Sequence, residues 1–209
     1  MTLYIAGINH YDPMARDRVA NWLCSLSGQQ PGSPSFVAVE FAEPHFHQLR
    51  AQRSQYRAWI HSEWPDVPEC DLERFERSLG YEGDTYEECF SGTEVVWLDE
   101  GREIEPVVIS RHAWNRLQCL RFFERWNALM LPGVVSEQVQ AYARSGVFSP
   151  ERSGRFAERI LTRIQGGDWR WGVVIAGASH ASERFENSMR SLLEKAGVLC
   201  VTRLFCRLD

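Results

Sequence analysis

Two apolar runs, one near each end of the chain, finish in the same four-residue pattern. Thr2-Leu-Tyr-Ile-Ala-Gly-Ile8 leads into Gly7-Ile-Asn-His10, and Trp171-Gly-Val-Val-Ile-Ala176 leads into Gly177-Ala-Ser-His180. Short apolar runs bounded by Gly and polar residues read as strands buried on both faces, as in a parallel sheet covered by helices. Gly allows a sharp turn at the strand end and delivers the His to the carboxyl edge of the sheet, where open α/β sheets bind ligands. If the two strands are neighbours, His10 and His180 converge despite 170 positions of separation.

The residues between them favour the same architecture. Asp12-Pro13 opens a helix whose apolar stripe is Val19, Trp22, Leu23 and Leu26, and Gly28 to Ser35 forms a loop. Phe36-Val-Ala-Val39 is a second buried strand that finishes on Glu40, and Pro44 opens a helix running to about Trp64. Strand, helix, strand, helix is the order of an α/β sheet. Further on, the pattern predicts a helix over Asp71 to Leu79 and strands over Glu94 to Leu98 and Pro106 to Ile109. Helices follow over Arg111 to Met130, Ser136 to Arg144, Pro150 to Ile164 and Glu183 to Ala196, and a final strand over Val198 to Phe205. The expectation is one α/β domain over residues 1–209, with a central, mostly parallel sheet and helices on both faces.

Charge divides this domain unevenly. The net charge of −5 conceals a stretch, residues 61–105, that holds 15 Asp and Glu against three Arg, leaving 20 basic and 13 acidic residues elsewhere. This stretch reads as an acidic insert on a basic scaffold, expected to pack over its Arg-bearing face as a lid or partner surface. A chain with 44% hydrophobic and 24% charged residues is globular rather than disordered. The acidic balance and the absence of a recognition motif argue against nucleic acid as a partner. With neither a basic leader nor a long apolar run, no membrane association and a cytoplasmic location are expected. The six Cys are scattered without C-x-x-C or zinc-finger spacing, so reduced, mostly buried thiols are expected.

Glu40 ends its strand and projects from the same edge as the two imidazoles. His10, His180 and Glu40 together have the chemistry to bind a divalent metal or to serve as general bases around a polarised substrate. Other constellations fit less well. Gly177-Ala-Ser-His-Ala181 nearly spells a nucleophile elbow, yet only the adjacent His180 and Asp209 lie downstream of Ser179 to complete a triad. Gly7 lacks the further glycines of a dinucleotide fingerprint. His45 and His47, just past Glu40, occupy different faces of a helix, so at most one joins the site.

The combination of Gly7-Ile-Asn-His10, Val37-Ala-Val-Glu40 and Gly177-Ala-Ser-His180 resembles the TraB/Tiki superfamily, which includes erythromycin esterases and ChaN-like haem-binding proteins. Glu151-Arg152-Ser-Gly-Arg-Phe-Ala157 is similar to the helix start found between the two His motifs of that family. Arg152 and Ala157 match, whereas Ser153 replaces an acidic or amide residue and Phe156 a Met; Ser110-Arg111 retains the Arg of a further Asp-Arg motif without its Asp. The resemblance implies a hydrolase of an ester or amide bond acting on a small molecule or peptide. In it His10 and His180 bind a divalent ion (Mn, Co or Zn) with Glu40 or act as bases, while Arg152 and Arg111 stabilise negative charge. The alternative it carries is a non-catalytic protein that grips haem, a metal or a small ligand with the same residues.

Overall fold

The computed structural model describes residues 1–8, 15–63, 65–78, 80, 84, 86, 88–101 and 149–205. Five strands, β1 (Thr2–Ile8), β2 (Val37–Val39), β3 (Val95–Trp97), β4 (Trp171–Gly177) and β5 (Leu199–Leu204), pair in parallel in the order β3-β2-β4-β1-β5. Among the described residues the helices are α1 (Ala15–Gln29), α2 (Glu43–Ala51), α3 (Arg53–Glu63), α4 (Glu69–Ser78), α5 (Pro150–Gln165), α6 (Ala178–Ala181) and α7 (Met189–Lys195).

Side chains alternate across a strand, so each buried run feeds two layers. Ala6, Ile8, Val37, Val39, Val173 and Ile175 pack on one face with Val19, Trp22, Leu23 and Leu26 of α1. Leu3, Ile5, Ala38, Val174 and Ala176 pack on the other with Phe156, Ala157 and Ile160 of α5 and Met189 and Leu193 of α7. The fold is therefore α/β, an all-parallel sheet between helices, as the two-sided burial of the apolar runs predicts. The runs expected at Pro106 to Ile109, Arg111 to Met130 and Ser136 to Arg144 lie outside the described residues.

Two long expected helices are broken or shortened. The one opened by Pro44 stops at Ala51, where Gln52 takes a non-helical φ of −102° and ψ of 4°, and α3 starts afresh at Arg53. Of the helix expected over Glu183 to Ala196 only α7 forms, from Met189, because Ser188 caps its start by accepting a hydrogen bond from the Ser191 amide; α6 lies wholly before the expected span. The thiols also need correcting. Cys24 of α1 and Cys89 form a disulfide across 65 positions, their Cα atoms 5.4 Å apart, while Cys70 and Cys200 are free. Spacing along the chain concealed a pair that the fold brings together.

Acidic residues of the stretch 61–105 meet arginines on other elements. Glu94 and Glu100 pair with Arg163 and Arg159 of α5, Asp84 with Arg53, Glu88 with Arg16, and Glu69 and Glu76 with Arg57. Arg159 also donates to the Trp97 carbonyl at 2.8 Å, fastening α5 to β3. Among the described residues no helix is long and apolar enough to cross a membrane.

The path of the chain places a topological switch point at the carboxyl edge. The connection leaving β1 passes over one face through α1, and the connection leaving its neighbour β4 passes over the other through α7. Connections that part in this way from adjacent strands open the sheet edge between them, the usual position of a ligand site in this architecture.

A buried acid, base and guanidinium at the sheet edge

Three strands deliver polar side chains to this edge. The register of β1 on β4 pairs Gly7 with Ala176 and Ile8 with Gly177, so the glycines that open the two Gly-x-x-His patterns lie on neighbouring strands, one residue out of step. Neither Gly7 nor Gly177 has a positive φ, which corrects the expectation that glycine is needed there for a sharp turn. A Cβ on Gly7 would lie 2.4 Å from Leu204 Cδ2 and 2.8 Å from Ala181 Cβ. Gly7 is thus required by the close approach of α6, the element that carries His180, to β1. His10 and Arg111 lie outside the described residues.

Glu40 follows β2 directly, and its amide donates to the Ile175 carbonyl of β4 at 3.0 Å, extending the strand pairing to the site. One carboxylate oxygen, Oε2, accepts a hydrogen bond from the Gly177 amide. The other, Oε1, is 2.8 Å from Nη1 of Arg152 and 3.6 Å from Nε2 of His180. Both the Glu40 and the His180 side chains are only 3% exposed. A carboxylate buried to this degree needs a compensating cation and donors, and it has both.

Arg152 comes from the first turn of α5, whose start is fixed by Ser149 accepting from the Arg152 amide at 3.2 Å and by Pro150. Its Nε lies 3.1 Å from Asp99 Oδ2, and Nη2 contacts the same oxygen. The guanidinium therefore bridges two carboxylates. Burial by itself lowers the Arg152 pKa, but Glu40 and Asp99 outweigh it and the net shift is upward, so the charge is permanent. The guanidinium also stacks 5.0 Å from the centre of the Phe156 ring, which in turn lies 5.1 Å from the His180 ring.

On its far side His180 is held by a residue of the same helix. Nδ1 lies 2.7 Å from the hydroxyl of Ser153, which is completely buried. Ser153 is thus a direct partner of the predicted imidazole. Asp99 is the second participant absent from the sequence-based set. It follows β3, whose pairing continues as Leu98 donates to Val39 and Asp99 to Phe41 at 2.9 and 3.2 Å. A strand ending in an acidic residue beside Glu40 was the available signal, hidden within an acidic stretch.

His45 contacts Gly101, where an added Cβ would come 2.4 Å from the imidazole Cε1. Burial lowers its pKa, and Asp99 raises it by less. His47 faces away, 3.7 Å from Glu43 and beside Trp97. The thiol of Cys200, on β5, is pushed up to about 12, first by burial and then by Glu194, with Arg190 acting in the opposite sense. It is protonated at neutral pH and so a poor nucleophile.

Among the described residues no group of three or more His, Cys, Asp or Glu side chains has the arrangement to hold a metal ion. The third donor of the expected set, His10, lies outside the described residues. Oε1 of Glu40 is engaged by a permanent cation, and a divalent ion shared with His180 would sit against that guanidinium.

No family model matches the sequence, and no curated protein does. Among solved structures the type III effector HopBA1 aligns over 86% of this chain and 68% of its own, at 13% identity and a TM-score of 0.38.

Proposed function

We propose that this protein is a hydrolase of an ester or amide bond, of the TraB/Tiki type, working at the carboxyl edge of the sheet. The observation that carries the reading is the shared oxygen of Glu40, approached by Arg152 at 2.8 Å and by His180 at 3.6 Å inside the protein. A carboxylate and an imidazole in such contact exchange protons, and a guanidinium fixed beside them stabilises negative charge developing on a carbonyl oxygen. In hydrolysis the water oxygen bonds to the carbonyl carbon and its proton passes to the acid–base pair. The bond to the leaving oxygen or nitrogen then breaks as that atom is protonated. Arg152, held on both sides by Glu40 and Asp99, requires little reorganisation for this role. His10, two positions past β1, is the second imidazole of this reading, and Arg111 its second cation. In the metal-free form of this reading Arg152 is the cation beside Glu40.

The test is hydrolysis of acyl esters and short peptides by untagged protein, with and without added Mn, Co or Zn, beside the His180→Gln variant. Turnover that needs no metal and disappears in the variant supports the proposal. Turnover that requires a metal overturns its metal-free form. Full activity in the variant overturns the site, and no hydrolysis, with a Soret shift on haem titration, replaces the hydrolase with the binding protein.

A further inference from the structure

A neutral imidazole has one N–H and one bare nitrogen, and its neighbours decide which is which. At His180 the neighbours are unlike. Nε2 faces the Glu40 carboxylate at 3.6 Å, an atom that only accepts, whereas Nδ1 faces the Ser153 hydroxyl at 2.7 Å, an atom that either donates or accepts. A bare Nε2 would set two lone pairs against each other at a distance too short for a bridging water. A protonated Nε2 turns the same contact into an attraction. The hydroxyl is free to comply, because a serine rotor adopts whichever sense its partner requires. The Ser153 amide is already committed to the Ser149 carbonyl at 3.0 Å, so the residue is fixed in the helix while the hydroxyl turns.

We infer that Ser153 is a positioning residue whose hydroxyl donates to Nδ1 of His180 and so holds the imidazole proton on Nε2, facing Glu40. Its complete burial suits this role and not that of a nucleophile. The consequence, which rests on the hydrolase reading, is a division of labour. His180, its one N–H turned to Glu40 and its bare Nδ1 taken by Ser153, orients the carboxylate that accepts the proton of the water, and Arg152 polarises the carbonyl. Phe156 packs against both the imidazole and the guanidinium.

The experiment is a long-range proton–nitrogen NMR correlation on 15N-labelled full-length protein, with the His180 signals assigned by their loss in His180→Gln. The expected pattern is a protonated Nε2 and a bare Nδ1. Ser153→Ala is expected to mix the two tautomers, Ser153→Thr to retain the wild-type one, and Ser153→Asp to move the proton to Nδ1. A wild-type pattern with the proton on Nδ1 overturns the inference, as does a Ser153→Ala spectrum identical to wild type. If Ser153→Ala does not fold, the wild-type and Ser153→Thr spectra still decide. No substrate enters this measurement, so failure to find hydrolysis leaves it standing, and its failure leaves the hydrolase proposal standing.

Discussion

Arg152 Nη1 lies 2.8 Å from Oε1 of Glu40, joining the first turn of α5 to the end of β2 through a carboxylate that is almost wholly buried. Removing one partner of such a pair leaves the other charge uncompensated. Arg152→Met is expected to cost about 3 kcal/mol of stability, the low end of the range for broken buried pairs because the Arg side chain is a third exposed. Urea denaturation measures this. Arg152→Lys keeps the charge but not a fork that spans Glu40 and Asp99, and an intermediate loss is expected.

Gly7→Ala is expected to destabilise the protein by about 1–3 kcal/mol, since the new methyl meets Ala181, which has no rotamer to move out of the way. Displacement of α6 would carry His180 with it. The variant is therefore expected to lose the Ser153 contact, read as a changed His180 pattern in the NMR experiment, as well as thermal stability.

Asp99→Asn removes the carboxylate that raises the His45 pKa and leaves the larger, opposite influence of burial. An NMR titration is expected to place His45 below the usual 6.5 in the wild type and lower still in the variant. The sign for stability follows. A histidine whose folded pKa lies below its unfolded value binds its proton more readily when unfolded, so this group favours the folded state less as pH falls below about 6.5. The loss should extend to lower pH in Asp99→Asn.

The Cys24–Cys89 bond closes a loop of 65 residues. Reduction, or Cys24→Ser, is expected to lower stability by about 2–4 kcal/mol by freeing the unfolded chain. Denaturation with and without reductant checks this, and Cys24→Ser is expected to be insensitive to the reductant.

The sheet was legible in the sequence because strands buried on both faces must be apolar at consecutive positions, as in Val37 to Val39 and Val173 to Ala176. Their carboxyl ends were legible for the same reason, and Glu40 and His180 do come together there. Asp99 was hidden because β3 is three residues long within an acidic stretch, and only pairing with β2 distinguishes it from its acidic neighbours. Ser153 stood out as a departure from a pattern, but its partnership depends on the pitch of α5, which turns it inward beside Phe156 and Ala157. The helix break at Gln52 and the late helix start at Ser188 were missed because apolar periodicity continues across them.

The order β3-β2-β4-β1-β5 has a kinetic consequence. β1 and β2 do not touch, because the strand between them comes from residues 171–177. An emerging chain must keep two apolar strands apart until the third is made, and β1 finds both its partners only near the other end of the sequence. Contacts so distant along the chain belong to the slow end of single-domain folding. Glu40 and Arg152 accordingly meet late, so a nascent chain is exposed to aggregation through the edges of β1 and β2 until β4 separates and satisfies them.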